Sequence, residues 1–195
     1  GTPVVTPVNT ASAPVVNLSK ALINGNFENP EIIGYRYTPM GTGWVFANGA
    51  VIAANGSAWG SPNAPSGSQT AVLQGAGNKP GVMARHVNFD AGTYTVRLQT
   101  ARRAGQIQPI KFSIDGTQIG SLIIPTSDAF AAYTTPPFTF ATAGVHNLRF
   151  EATDGTGDKS TFIDAVSIFK AGSSAIKVEA EDYDAMNGIL LVPTT

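Results

Sequence analysis

The segment Gly92–Thr100 alternates apolar and polar side chains without a break, with Tyr94, Val96 and Leu98 on one side and Thr95, Arg97 and Gln99 on the other. A period of two marks a half-buried β-strand and excludes an amphipathic helix. Shorter strand-like runs recur at Gly43–Phe46, Ala50–Ala53, Gln69–Gln74, Met83–Phe89, Tyr133–Phe140, Val145–Ala152 and Ser160–Phe169. Lys111–Ile114 and Thr117–Ile123 flank Asp115-Gly116, a pair suited to the positive φ angles of a tight hairpin turn. Between Leu22 and Phe169 no stretch of a dozen residues shows a capped 3.6-residue period. Many short strands punctuated by turns, for which the chain carries 21 Gly and 13 Pro, predict an all-β antiparallel β-sandwich of the jelly-roll type.

The polar surface is built mainly from uncharged side chains, since Asp, Glu, Lys and Arg make up only 13% of the chain and the net charge is −1. With no basic block to neutralise phosphates, no nucleic-acid partner is expected. No apolar run approaches the roughly 20 residues that span a bilayer, so no membrane partner is expected either. The absence of Cys excludes disulfides and thiolate metal sites. Residues 1–19, rich in Pro, Thr, Val and Ala without periodicity, predict an extended linker. Residues 20–170 form the β module. At 171–195 a short Gly/Ser linker precedes Ile176–Ile189, the start of something new and too short to build a core of its own.

Two motifs carry a family resemblance. Asn24-Gly25-Asn26-Phe27-Glu28, followed by Gly43-Trp44, and Thr161-Phe162-Ile163-Asp164-Ala165-Val166-Ser167-Ile168 are similar to the opening and closing segments of carbohydrate-binding modules with a galactose-binding-like jelly roll. Pro65–Gln74, Ala91–Val96, Ala101–Arg103 and Ala143–Phe150 fall between them in the family's order. Ala165 stands where the family usually carries Asp or Asn. The tail Lys177–Met186 resembles the opening strand of the family six and thirty-five type modules, in which acids matching Glu179 and Glu181 help to bind calcium. The resemblance implies a secreted parent, a glycoside hydrolase or polysaccharide lyase with covalently linked catalytic and sugar-binding modules. This chain would then be the accessory domain that holds the parent on polysaccharide.

A metal site is the second implication. Asp164 lies in a run reading Phe162, Asp164, Val166, Ile168, so strict alternation places its carboxylate among apolar side chains, which is costly without a partner. Glu28 follows a turn-prone stretch rich in backbone oxygens. The residues alone favour the plainer reading, a strand-end Asp164 accepting backbone N–H groups and a solvated Glu28. In the resembling family the first and last strands are adjacent, which implies a structural calcium ion at Glu28 and Asp164, a hard cation suited to oxygen ligands. His86 and His146, the two histidines, are far apart in sequence and do not read as a zinc site.

Sugar recognition requires exposed aromatic planes flanked by planar polar groups. Trp59 sits among turn formers in Ala54–Pro65, either displayed to solvent or folded under its own loop, whereas Trp44 is assigned to the core. Tyr35 and Tyr37 alternate with Arg36 and project to one side, lining a groove or packing at a sandwich edge. Arg97 and Gln99 lie opposite the apolar face of their strand, and His86 points outward from its own; together they are expected on one exposed sheet face, which is otherwise a merely solvated one. Arg102 and Arg103 end a strand, where one holds a uronate or sulfate or enters a structural ion pair. No G-x-S-x-G elbow is present. The remaining acids lie mostly in turns, and catalysis by Tyr35, His86 and Arg97, in the manner of a jelly-roll lyase, has no motif behind it. The expectation is a non-catalytic polysaccharide-binding module, with a protein-binding or wall-anchoring sandwich and a lyase as the alternatives.

Overall fold

The computed structural model describes residues 17–20 and 22–172. Its strands are β1 (Asn17–Lys20), β2 (Tyr35–Tyr37), β3 (Val45–Ala47), β4 (Ala50–Ala54), β5 (Gln69–Ala76), β6 (Lys79–Pro80), β7 (Val82–Phe89), β8 (Gly92–Arg102), β9 (Ile110–Ile114), β10 (Thr117–Gln118), β11 (Ala131–Thr134), β12 (Phe138–Phe140), β13 (Gly144–Ala152) and β14 (Ser160–Ala171). They form two antiparallel sheets. In the first, the order is β11-β8-β14-β5-β4-β2, with β1 added to β14, β12 to β8 and β6 to β5; in the second it is β10-β9-β13-β7-β3. The expected antiparallel sandwich is therefore the observed fold.

Alternation builds the space between the sheets. Tyr94, Val96 and Leu98 of β8 are buried there with Val87 and Phe89 of β7, Phe112 of β9 and Leu148 and Phe150 of β13. Trp44 also lies in this core, 4% exposed, its indole N–H donating to the Asn24 carbonyl at 3.0 Å. Asp115 (φ 50°) and Gly116 (φ 82°) make the expected turn between Ile114 and Thr117. The strand after it is shorter than the apolar pattern implies: β10 ends at Gln118, and Ile123 returns to bridge Ile110. The run Tyr133–Phe140 is likewise split into β11 and β12 across Thr135-Pro136-Pro137, because proline has no N–H for the ladder with β8.

Two boundaries shift. β1 starts at Asn17, inside the segment 1–19 expected to be linker, and pairs with Ile168–Ala171; residues 1–16 lie outside the described residues, as do residues 173–195 with the resemblance to a second module. Strict alternation also fails on β14. A bulge between Asp164 and Ser167, with Ala165 at φ 50°, resets which side faces the core. Ile163, Val166 and Ile168 point between the sheets, while Phe162 is buried in a second cluster on the other face with Val51, Ala53, Val72 and Ala101. The expected common face of Phe162, Asp164, Val166 and Ile168 is thus divided in two.

Candidate functional site

The outer face of the first sheet gathers most of the sequence-nominated residues. Register places Tyr35 opposite Ala53 and Tyr37 opposite Val51, so both tyrosines leave the edge strand β2 on the side of the second apolar cluster. The row continues inward as Val51–Val72–Phe162–Ala101 across β4, β5, β14 and β8. Trp59 comes from the loop between β4 and β5, on a single 3-10 turn at Ala58–Gly60, and packs on this floor from one side while Phe130 packs on it too. Its backbone is left-handed (φ 65°), a conformation that a bulky residue seldom adopts, and this sets where the indole emerges.

Three rings therefore meet. The Tyr35 and Trp59 centroids are 4.9 Å apart, Tyr37 and Trp59 6.0 Å, and Tyr35 and Tyr37 6.1 Å, all close to edge-to-face. Tyr35 remains 52% and Tyr37 43% exposed, and Trp59 is half-buried. Trp59 is thus neither fully displayed nor folded wholly under its loop: it packs on the second cluster and stays partly exposed. Gln74, buried beneath the rings, donates from Nε2 to the Tyr37 hydroxyl at 2.6 Å and holds that ring in place. Gln74, Phe130 and Phe162 are site residues that the sequence reading does not nominate. Gln74 and Phe162 follow from alternation once β5 and β14 are known to be neighbours, but Phe130 lies in a loop and carries no periodic signal.

Arg97 and Gln99 stand on the same outer face, on β8. The Arg97 guanidinium lies 4.2 Å from the Phe169 ring centroid, and Gln99 pairs with Asp164 across to β14. His86 does not join them. β7 belongs to the second sheet, where the His86 ring contacts the Asn147 side chain at 3.5 Å. Strands adjacent in sequence cross between the layers here, so the grouping of His86 with Arg97 and Gln99, and the conceivable trio of Tyr35, His86 and Arg97, do not form. Arg102 enters an ion pair with Asp128 (2.6 Å) and Arg103 pairs with Asp158, which is the structural alternative for both.

Glu28 and Asp164 converge on one loop. Glu28 accepts the Ser68 and Gln69 N–H groups at 2.9 and 2.7 Å and the Ser68 hydroxyl at 3.0 Å. Asp164, wholly buried, accepts the N–H groups of Ser66 (2.9 Å) and Ala165 (2.6 Å). The Asn24–Glu28 turn is docked against β14 where the Gly25 carbonyl receives the Val166 N–H at 2.8 Å. Burial pushes the Asp164 carboxyl up to about 6, against two opposing backbone hydrogen bonds, and the Glu28 charge adds to the rise. No ion pair to either carboxylate is present among the described residues. Nor, among those residues, do three or more His, Cys, Asp or Glu cluster there as metal ligands.

A cleft of about 170 Å³, lined by Thr100, Ile123, Ile124, Pro125, Ala131 and Tyr133, lies at the β11 edge, across the sheet from the aromatic cluster. The aromatic cluster lies at the opposite edge of that sheet, on β2.

No family model and no curated protein matches this sequence. Solved structures match in three dimensions. A Stig cyclase, Fisc from Fischerella sp. TAU in complex with (3Z)-3-(1-methyl-2-pyrrolidinylidene)-3H-indole, superposes with a TM-score of 0.61 at 15% identity, covering 80% of this chain and 100% of the cyclase. The CBM22-1 xylan-binding domain from Paenibacillus barcinonensis Xyn10C superposes with a TM-score of 0.51 at 14% identity, covering 69% and 89%. The tandem CBM22-1-CBM22-2 structure from the same protein gives 0.55 at 15%, covering 84% of this chain and 49% of the tandem. These likenesses establish that the chain has the two-sheet jelly-roll fold shared by carbohydrate-binding modules and Stig cyclases.

Proposed function

We propose that the chain is a non-catalytic module that binds polysaccharide through Tyr35, Tyr37 and Trp59. The observation that carries this reading is the convergence of these rings, from a strand and a separate loop, into one part-exposed cluster on a rigid sheet. Aromatic faces present the apolar surface that the C–H faces of sugar rings stack on, and the Tyr37 hydroxyl sits beside them as a polar handle. The fold's occurrence in a xylan-binding domain agrees with this use. The reading includes a secreted parent enzyme, with the module raising the local concentration of polysaccharide.

The carboxylates support binding over catalysis. Glycoside hydrolysis needs two of them facing substrate, but Glu28 and Asp164 hold loop N–H groups, Asp115, Asp128, Asp154, Asp158 and Glu151 are tied to His146, Arg102, Lys159, Arg103 and Lys111, and the remaining acids of the described residues, Glu31 and Asp90, are exposed outside the strands. Structural calcium at Glu28 and Asp164 belongs to the same proposal. A buried carboxylate beside a second one, with no cationic side chain paired to either among the described residues, fits a hard divalent ion. Backbone carbonyls and water would complete its shell. Its role there would be to fix the base of the Trp59 loop.

Electrophoresis through gels containing soluble polysaccharides, xylan among them, tests the reading. Retardation by one glycan, lost in Trp59→Ala, is the expected result. A folded protein whose mobility no glycan alters would overturn it and favour protein contact through exposed apolar residues such as Ile33 and Met40, 96% and 85% exposed.

A further inference from the structure

The arginines of this chain are unequally occupied. Arg102, Arg103 and Arg149 are ion-paired with Asp128, Asp158 and Glu151. Arg85 donates to the Ile23 carbonyl and lies over the Trp44 ring. Arg36 and Arg97, both exposed, have no carboxylate within ion-pair distance among the described residues. Arg36 leaves the edge strand β2 on the side opposite Tyr35 and Tyr37, whereas Arg97 stands on the outer face and stacks on Phe169.

Stacking on a ring fixes the plane of a guanidinium while leaving its in-plane N–H donors open, which is the arrangement that receives a carboxylate through two parallel hydrogen bonds. Sheet register supplies the neighbours. Arg97 lies between Ser167 of β14 and Thr134 of β11, and Gln99, two residues along the same face of β8, is half-buried. The nearest acid on this face, Asp164 opposite Gln99, is turned into the Ser66 and Ala165 N–H groups. An uncommitted cation thus sits beside hydroxyl- and amide-bearing side chains, a donor set that fits a sugar bearing a carboxylate. β8 is four strands from β2 in the sheet order, so Arg97 and the aromatic cluster are separated by about 19 Å across the strands and further along them, because the Tyr37 row meets β8 at Ala101. Val72, Phe162 and Asp164 between them are wholly buried, so the two are separate places on this side of the sandwich.

We infer that Arg97, supported by Phe169 and Gln99, is a second subsite on the binding face and that it receives the carboxylate of an acidic sugar residue, a uronate carried by the polysaccharide. This rests on the polysaccharide-binding reading for its biological ligand, whereas the subsite itself is testable without it. The isotope-labelled protein would be titrated with D-glucuronate, D-xylose and acetate while the Arg97 Nε–H, Gln99 side-chain amide and Phe169 ring resonances are followed by NMR. Saturable shifts with glucuronate and none with xylose are expected, and Arg97→Gln should abolish those at Gln99 and Phe169. With polymers, glucuronoxylan should bind about tenfold more tightly than unsubstituted xylan, the size of one charge-assisted contact, and Arg97→Gln should erase that preference. Equal shifts with xylose, equal shifts with acetate, or unchanged glucuronate binding in Arg97→Gln would each overturn the subsite. Loss of the Trp59→Ala effect with the Arg97 response intact would instead overturn the aromatic platform and leave the subsite standing.

Discussion

Ala165 joins the most distinctive sequence motif to a backbone requirement. It adopts φ 50° at the β14 bulge, a left-handed conformation that costs an L-residue with a Cβ roughly 1–2 kcal/mol and that Asn and Gly adopt more readily. The resembling family usually places Asp or Asn at this position, and the bulge supplies a backbone reason for that choice. Ala165→Asn or Ala165→Gly is therefore expected to raise stability by about 0.5–1 kcal/mol, or about 1–4 °C in Tm by differential scanning calorimetry; an unchanged or lower Tm for both would show that the bulge is not strained. The departure of Ala165 from the motif was legible in the sequence. The bulge was not, because one extra residue in a ladder leaves the composition of the strand unchanged and alters only the parity of the residues beyond it. At Trp59 the residue type and its loop setting were legible, whereas its contact with Tyr35 and Tyr37 required the pairing of β2 with β4.

Among the elements, the loop between β4 and β5 decides whether a site exists, since it carries Trp59 at one end and is fastened at the other. Glu28 holds Ser68 and Gln69, Asp164 holds Ser66, and Gly67 between them (φ 89°) has no room for a side chain, as a Cβ would stand 2.3 Å from the Glu28 carboxyl carbon. Removing the clamp leaves two N–H groups without their charged acceptor. Glu28→Ala should cost about 1–3 kcal/mol, speed amide hydrogen exchange at Ser68 and Gln69, and weaken glycan binding although Glu28 is not part of the platform; exchange at wild-type rates would remove the link between clamp and platform. The same scale shows where sequence reasoning stops. Alternation distinguishes inward from outward on β7 and β8 correctly: Val87 and Phe89 are buried while His86 is exposed, and Tyr94, Val96 and Leu98 are buried while Arg97 is exposed. It carries no information on which sheet each strand joins. His86 and Arg97 both face outward, from opposite layers of the sandwich.

For the molecule as a whole, the buried carboxylate and the proposed calcium make stability depend on pH in opposite directions with and without metal. In chelated protein, Asp164 titrates near 6 when folded and near its ordinary 3.8 when unfolded. As pH rises between those values the unfolded chain releases a proton that the folded one retains, so the Asp164 contribution falls through this window and levels off above it, by about 3 kcal/mol at most. Asp115, held below the ordinary carboxylate range chiefly by its hydrogen bond to His146, contributes with the opposite sign, its stabilisation being lost as pH drops below about 4. The difference between wild type and Asp164→Asn isolates the first effect: in chelator, the variant should gain on wild type from pH 4 to pH 6 and then run parallel to it. Calcium reverses the order, because the ion binds the charged form and stabilises the folded state by mass action. At pH 7, millimolar calcium should raise the wild-type Tm and leave Asp164→Asn nearly unmoved, whereas at pH 4, where Asp164 is protonated in the fold, it should have little effect on either. A wild-type Tm that ignores calcium at pH 7 while the chelator experiment shows the Asp164 slope would mean that the acid is buried for the loop alone. The carboxylate pair would then act only as a clamp on the Trp59 loop, and the fold would carry a destabilised acid at neutral pH to keep that loop in place.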